Sequence, residues 1–171
     1  RPKTTPAGPV AARLAGRKGL PVDVSFDAPF PTTPGLVSRD YQTGDGAYVL
    51  VAPAKGPLKK VVSDKVFAAD GKYGSYGAPS EVKLKGSERR GDGDEVFEYT
   101  FVALTPAMRE VARRVRARAI QVGGDDVFIL VAGSTAARWR AAEPALSKAV
   151  DSFAARPAPE FSAEMVALRT K

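Results

Sequence analysis

The longest regular pattern of apolar and polar positions lies between residues 94 and 153. Residues 96–104 and 127–131 are rich in β-branched, aromatic and aliphatic side chains, which predicts two strands with buried faces. Between them, residues 111–122 mix arginine with apolar residues and end at a Gly-Gly turn. A Gly-Gly turn between two such runs is typical of a hairpin, so we interpret residues 111–122 as a strand, although their apolar spacing also fits a helix.

A helix is predicted to follow these strands. From residue 133 onward, apolar residues recur at intervals of three or four, which is the spacing of an amphipathic helix. Ser134 or Thr135 can cap its first turn. The predicted core positions of the strands and the helix are Phe97, Tyr99, Phe101, Phe128, Trp139, Leu146 and Phe153. Arg138, beside the single Trp, is expected to pair with an acidic turn.

The chain before residue 94 predicts further short elements. Residues 22–26 alternate between apolar and polar, as in a strand with one buried face. Residues 36–41, 47–52 and 81–87 predict three more strands, and residues 58–69 carry the apolar spacing of a short helix. These elements are separated by segments rich in Gly and Pro, which predict loops.

The composition limits the number of domains and excludes several kinds of chemical site. A chain of 171 residues with 44% apolar content is long enough for one domain with a full core. Cysteine and histidine are both absent, which excludes disulfides, thiolate nucleophiles, Cys/His zinc sites and imidazole acid–base catalysis. No apolar run approaches the roughly 18 residues of a membrane span. The first residue is arginine, so we expect a processed or trimmed form.

Charge is distributed unevenly. The net charge is +7, and the first twenty residues hold five basic residues and no acidic one. This excess predicts a basic N-terminal arm (residues 1–19) that is disordered or becomes ordered on an acidic partner. Its candidate partner-binding residues are Arg1, Lys3, Arg13, Arg17 and Lys18. A folded domain (residues 20–155) and a C-terminal extension (residues 156–171), which could include a short helix over residues 160–168, complete the predicted organisation.

A second basic cluster lies within the predicted strand 111–122. On a strand, Arg114, Arg116 and Arg118 share one face. Two interpretations stay open: a solvated face, or a contact surface for an acidic protein or a phosphate. Acidic residues near Asp92 and Asp125 are interpreted as solvated turns, because their spacing lacks the pattern of a calcium loop. No phosphate-binding or nucleophile motif is present, so we expect no catalytic residue, metal or cofactor.

The region from residue 94 to residue 153 resembles the PsbP family, the extrinsic proteins of the oxygen-evolving complex of photosystem II, and their thylakoid-lumen paralogues. More loosely, the resemblance extends back to residue 20. The positions that carry it are residues 97–101, Arg113, residues 126–130, Arg138, Trp139 and residues 150–153. The order and spacing of these positions carry the match.

The resemblance implies an α+β fold, with an antiparallel sheet of about six strands flanked by helices on both faces as an α/β/α sandwich. It also implies a non-catalytic subunit or assembly factor in the chloroplast thylakoid lumen, peripheral to the membrane. The implied partners are core subunits with acidic lumenal loops, most of all those of photosystem II, with photosystem I and the NDH complex as alternatives. Family members are associated with calcium retention, but this chain lacks His and has a shorter middle region, so no metal ligand is transferred to it. The alternative is a basic protein that binds nucleic acid or ribosomes.

Overall fold

The strands form two antiparallel sheets in a computed structural model that describes residues 3–16 and 20–159. In chain order the strands are β1 (Gly8–Ala15), β2 (Pro21–Ala28), β3 (Val37–Arg39), β4 (Gly46–Pro53), β5 (Ser80–Gly91), β6 (Asp94–Leu104), β7 (Glu110–Val122), β8 (Asp126–Thr135) and β9 (Ala154–Pro157). The helices are α1 (Leu58–Val66) and α2 (Trp139–Ser152), and a 3-10 turn (Ala136–Arg138) leads into α2.

The larger sheet has six strands in the order β3-β4-β8-β7-β6-β5. Strand β8 lies inside it between β4 and β7, and every residue of β8 except Thr135 is buried. Because successive side chains of a strand point to opposite faces, β8 contributes to a core on each side of the sheet. The predicted α+β class, with a sheet of about six strands and helices on both faces, is confirmed.

Helix α1 covers one face of the large sheet. Its Val61, Val62 and Val66 are buried against alternate residues of β6, β7 and β8. Aromatic rings close this core, with the Phe67 ring centroid 5.1 Å from that of Tyr99. The side chains of β6 that face α1 include the predicted core residues Phe97, Tyr99 and Phe101, each 3% exposed or less.

Helix α2 and the smaller sheet cover the opposite face. The buried apolar face of α2 packs against β8 and β2, and Phe128 of β8 is fully buried there. Trp139, Leu146 and Phe153 lie in the same core. Strand β2 adds Val24 from the smaller sheet, so this core has three layers.

The three-stranded sheet β1-β2-β9 is the main difference from the prediction. The sequence predicts an arm outside the fold up to residue 19, whereas Gly8–Ala15 pairs with β2 along its whole length. The sequence predicts no strand in residues 154–159, yet Ala154–Pro157 pairs with the other edge of β2. The basic, proline-containing composition obscures the alternation of Val10, Ala12 and Leu14, which is a strand period.

Two boundaries also differ from the prediction. The helical pattern is predicted to begin near residue 133, but β8 continues through Thr135 and α2 begins at Trp139. The Thr135 hydroxyl accepts a hydrogen bond from the Arg138 backbone N–H at 3.3 Å, so it caps the 3-10 turn. The short helix predicted over residues 160–168 lies outside the described residues. Neither described helix is long and apolar enough to cross a membrane.

Candidate binding sites

The three arginines Arg114, Arg116 and Arg118 form a row on β7, and the row faces α2. Their positions alternate with the buried Val115, Ala117 and Ala119, which face α1. The sequence prediction that the three arginines share one face therefore holds. Their partners lie within the chain, on β6 and α2.

Arg118 joins β7 to the end of α2. Its Nε and Nη2 donate to the two carboxylate oxygens of Asp94 at 2.9 and 2.8 Å. Its Nη1 donates to the backbone carbonyls of Val150 and Asp151 at 3.1 and 3.0 Å. Carbonyls in the last turn of a helix lack partners within the helix, so Arg118 satisfies two of them and places positive charge at the negative end of the helix dipole.

Arg114 and Arg116 share the carboxylate of Glu98. Arg114 Nε lies 3.1 Å from Glu98 Oε2, and Arg116 Nε lies 2.8 Å from Oε1. Arg116 also contacts Glu143 at 3.4 Å and hydrogen-bonds the hydroxyl of Ser147, both on α2. The guanidiniums of Arg114 and Arg116 lie 5.3 and 5.8 Å from the Trp139 ring centroid, within the range of a cation–π contact.

The ionisation of Glu98 reflects these contacts. Burial acts to raise the pKa of Glu98, but the hydrogen bonds and charges of Arg114 and Arg116 outweigh it, so the pKa is lowered. The row of arginines thus holds α2 on the sheet. A role of Arg114, Arg116 and Arg118 in binding a partner stays a prediction.

The basic residues of the predicted N-terminal arm do not form one described surface. Lys3 is exposed, and Arg13 lies on β1 in an ion pair with Asp23 at 2.7 Å. Arg1, Arg17 and Lys18 lie outside the described residues, so their contribution stays a prediction.

Strand β5 forms one edge of the large sheet. In the part of the chain that the structure describes, β6 is its single partner strand, and all twelve residues of β5 are exposed. The register with β6 shifts at three places, as at β-bulges. The sequence predicts a strand here, but its edge position depends on pairing far along the chain. A local signal was available, since lysine, charge and glycine are typical of edge strands.

The side chains of β5 present positive charge beside apolar surface. Arg89 pairs with Asp92 at 2.9 Å, and Arg90 pairs with Asp151 at 2.8 Å. Lys83 and Lys85 form no ion pair within the described residues. Leu84 lies between these lysines and is 37% exposed. The edge therefore combines unpaired backbone groups, two available ammonium groups and an apolar side chain.

A cavity of about 490 Å³ lies at one end of the large sheet. It is bounded by the beginnings of β4 and β7 and the ends of β6 and β8, and loop residues including Tyr73 and Tyr76 complete its wall. Three of its lining residues are basic, namely Arg39, Lys72 and Arg113, and none of the lining residues in the described part of the chain is acidic. Arg113 precedes Arg114 by one residue, so on a strand it lies on the face opposite to Arg114, Arg116 and Arg118.

Asp45, close to this cavity, is held by a different residue. Arg138 Nη2 lies 2.8 Å from Asp45 Oδ2, and the Asp45 side chain is 3% exposed. The expectation that Arg138 pairs with an acidic turn is confirmed. The guanidinium of Arg138 is therefore the counterion of the buried Asp45 carboxylate.

No family model and no curated protein sequence matches this chain. Among solved structures, it is similar to cyanobacterial PsbP (CyanoP) from Synechocystis sp. PCC 6803, with 16% identity, a TM-score of 0.46, and coverage of 88% of this chain and 94% of that chain. It is also similar to LpqN, a protein involved in cell envelope biogenesis of Mycobacterium tuberculosis, with 13% identity, a TM-score of 0.43, and coverage of 92% and 91%. At such low similarity, neither comparison bears on what this chain binds.

Proposed function

We propose that this chain is a non-catalytic docking protein whose β5 edge binds an extended, acidic segment of a partner protein. The observation that carries the proposal is the exposure of β5 along its whole length, with its outer edge unpaired among the described residues. An extended segment can add to such an edge through main-chain hydrogen bonds, while neighbouring side chains select it. Lys83 and Lys85 favour a segment that carries carboxylates.

We further propose that the partner belongs to a photosynthetic membrane complex. In this hypothesis the protein is an extrinsic subunit or assembly factor on the lumenal side of photosystem II or, failing that, of photosystem I or the NDH complex. The resemblance of residues 97–101, 126–130 and 150–153 to PsbP proteins supports this partner class. The basic N-terminal region would increase the rate of encounter with acidic lumenal loops by long-range attraction.

The contact is placed on β5 because the other predicted basic surface has intramolecular partners. Arg114 and Arg116 bind Glu98, and Arg118 binds Asp94. Recruiting these guanidiniums to a partner would leave two partly buried carboxylates without counterions, which is costly. Binding a partner through Lys83 and Lys85 would leave no described carboxylate without its counterion, because neither lysine forms an ion pair within the described residues.

Replacing both β5 lysines by glutamate should abolish most docking. We expect Lys83→Glu/Lys85→Glu to reduce binding to thylakoid membranes of the source organism by at least about tenfold at low salt, because attraction becomes repulsion. Binding of the unmodified chain should itself fall as ionic strength rises to about 1 M, where charges are screened beyond about 3 Å. Co-sedimentation across a salt series measures both effects.

Lys59→Glu/Lys65→Glu on α1 is the matched control, since it makes the same change in net charge at exposed positions away from β5. Equal losses in the two double variants would show that net charge, and not β5, determines binding. Failure of the unmodified chain to bind thylakoids at low salt would exclude a photosynthetic membrane complex as the partner. Retention on a DNA duplex with equal losses in both variants would favour the nucleic-acid alternative.

The role of the N-terminal basic residues should be tested by substitution and not by deletion. Removing residues 1–20 would also remove β1, which pairs with β2 and buries Val10. A variant with Arg1, Lys3, Arg17 and Lys18 all changed to Gln keeps the strand. If these residues steer association, the variant should bind more slowly at low salt, whereas the dissociation rate should hardly change.

A further inference from the structure

We propose that the cavity at the end of the large sheet binds a small aromatic carboxylate. This inference does not depend on docking at β5, because the cavity and the outer edge of β5 are formed by different residues. It assigns the carboxylate to Arg113 and Tyr48 and the aromatic body to the apolar wall.

Arg113 supplies a charged donor inside the cavity. Its Nη2 donates to the Gly44 carbonyl at 3.3 Å, and its guanidinium carbon lies 5.3 Å from the Tyr73 ring centroid. These contacts fix the orientation of the group. Its Nε is buried and makes no hydrogen bond of good geometry among the described residues, although the guanidinium lies close enough to the Tyr73 hydroxyl to interact with it. A buried donor without an acceptor is unfavourable, so an anionic acceptor here would be stabilised.

Tyr48 supplies a second unsatisfied donor. The residue is 6% exposed, and its hydroxyl makes no hydrogen bond of good geometry in the described chain, although it lies close enough to Tyr73 to interact with it. Burial raises the pKa of Tyr48 well above its usual value, so the phenol keeps its proton at neutral pH and can donate it to an acceptor. A carboxylate has two oxygens and can accept from a guanidinium and a phenol together.

The remaining lining matches an anion with an apolar body. Lys72 lies with its ammonium group 5.3 Å from the Tyr48 ring centroid, and it adds positive charge without a competing acid in the lining. The apolar part of the wall comprises Val37, Ala47, Ala103, Leu104, Pro106 and Val111. The volume of about 490 Å³ falls within the range of about 300–1,000 Å³ that is usual for small-molecule sites.

Benzoate is the probe for this site, and benzamide is its neutral counterpart of nearly the same shape. We expect the full chain to bind benzoate with shifts in the NMR signals of Arg113 Nε–H and the Tyr48 ring, and to bind benzamide at least about tenfold more weakly. Inorganic phosphate tests whether the cavity prefers a carboxylate to a phosphate. Stronger binding of phosphate than of benzoate, or equal binding of benzoate and benzamide, would overturn the proposal, as would no benzoate binding up to about 10 mM.

Two substitutions and one control assign the donors. Arg113→Gln and Tyr48→Phe should each weaken benzoate binding by at least about tenfold, whereas Arg109→Gln, an exposed arginine outside the lining, should not change it. Tyr48→Phe removes a hydroxyl that has no hydrogen bond of good geometry, so the variant should keep the melting temperature of the unmodified chain. A Tyr48→Phe protein that is folded and binds benzoate normally would contradict the site, even if Arg113→Gln fails to fold.

Discussion

Phe128→Ala should lower the free energy of unfolding by about 3–5 kcal/mol, the largest effect we expect from a single substitution in this chain. Phe128 is fully buried near the beginning of β8, with neighbouring strands on both sides, in the core that faces α2 and the small sheet. Removing the ring loses its transfer free energy and leaves a cavity that the fixed strands cannot close. Urea denaturation measures the change, with an unaltered slope showing that the same surface unfolds.

The adjacent residue tests whether β8 supports two cores. Ile129 is also fully buried, but it faces α1, so Ile129→Ala should cost about 2–5 kcal/mol as well. Leu84→Ala, at a position 37% exposed on β5, is the control and should change stability by about 0.5 kcal/mol or less. A large loss of stability for Phe128→Ala together with a negligible loss for Ile129→Ala would mean that α1 does not bury its face of the sheet.

Glu98→Gln should lower the free energy of unfolding by about 1.5–3 kcal/mol near neutral pH. The substitution keeps the size of the side chain but removes the charge that Arg114 and Arg116 share, so both partly buried guanidiniums lose this counterion. Asp23→Asn is the matched control, because it also neutralises the acidic partner of an arginine. The Asp23–Arg13 pair is well exposed, so its loss should change stability much less than the loss of the Glu98 charge.

The pH dependence provides a second test of the Glu98 contacts. Since the pKa of Glu98 is lowered in the folded state, its contribution is fully present above the unfolded value of about 4.3. It is lost as the pH falls through the lower folded pKa. The stability difference between the unmodified chain and Glu98→Gln should therefore be constant above about pH 5.5 and shrink in more acidic solution. A difference that stays constant down to about pH 3 would show that the ion pairs do not stabilise the fold.

The elements that could be predicted from the sequence are those whose patterns are local. The hairpin of β7 and β8 follows from a turn and two β-rich runs. The ambiguous segment is a strand because Val115 and Ala117 are buried on one face while Arg116 lies on the other, which is a period of two. Apolar spacing likewise located α2, although its first residue depends on how far β8 extends.

The pairing of β2 with β9 and the cavity could not be predicted in this way. Each depends on contacts between segments far apart in the chain, for which short windows of sequence carry no signal. Arg113 illustrates the difficulty, because it is one of four arginines within six residues and only the strand period separates it from the others. The partners on α2, the Glu143 carboxylate for Arg116 and the Val150 carbonyl for Arg118, become evident only when the helix lies across β7.

The smaller sheet has a consequence for how the chain folds during synthesis. Strand β2 leaves the ribosome long before its second neighbour, β9, because most of the described chain lies between them. Until then, β2 lacks both β9 and the α2 helix that buries Val24, and β1 alone can pair with it. Closing so long a loop is slow, so the nascent chain should present an apolar strand to chaperones until β9 has been made.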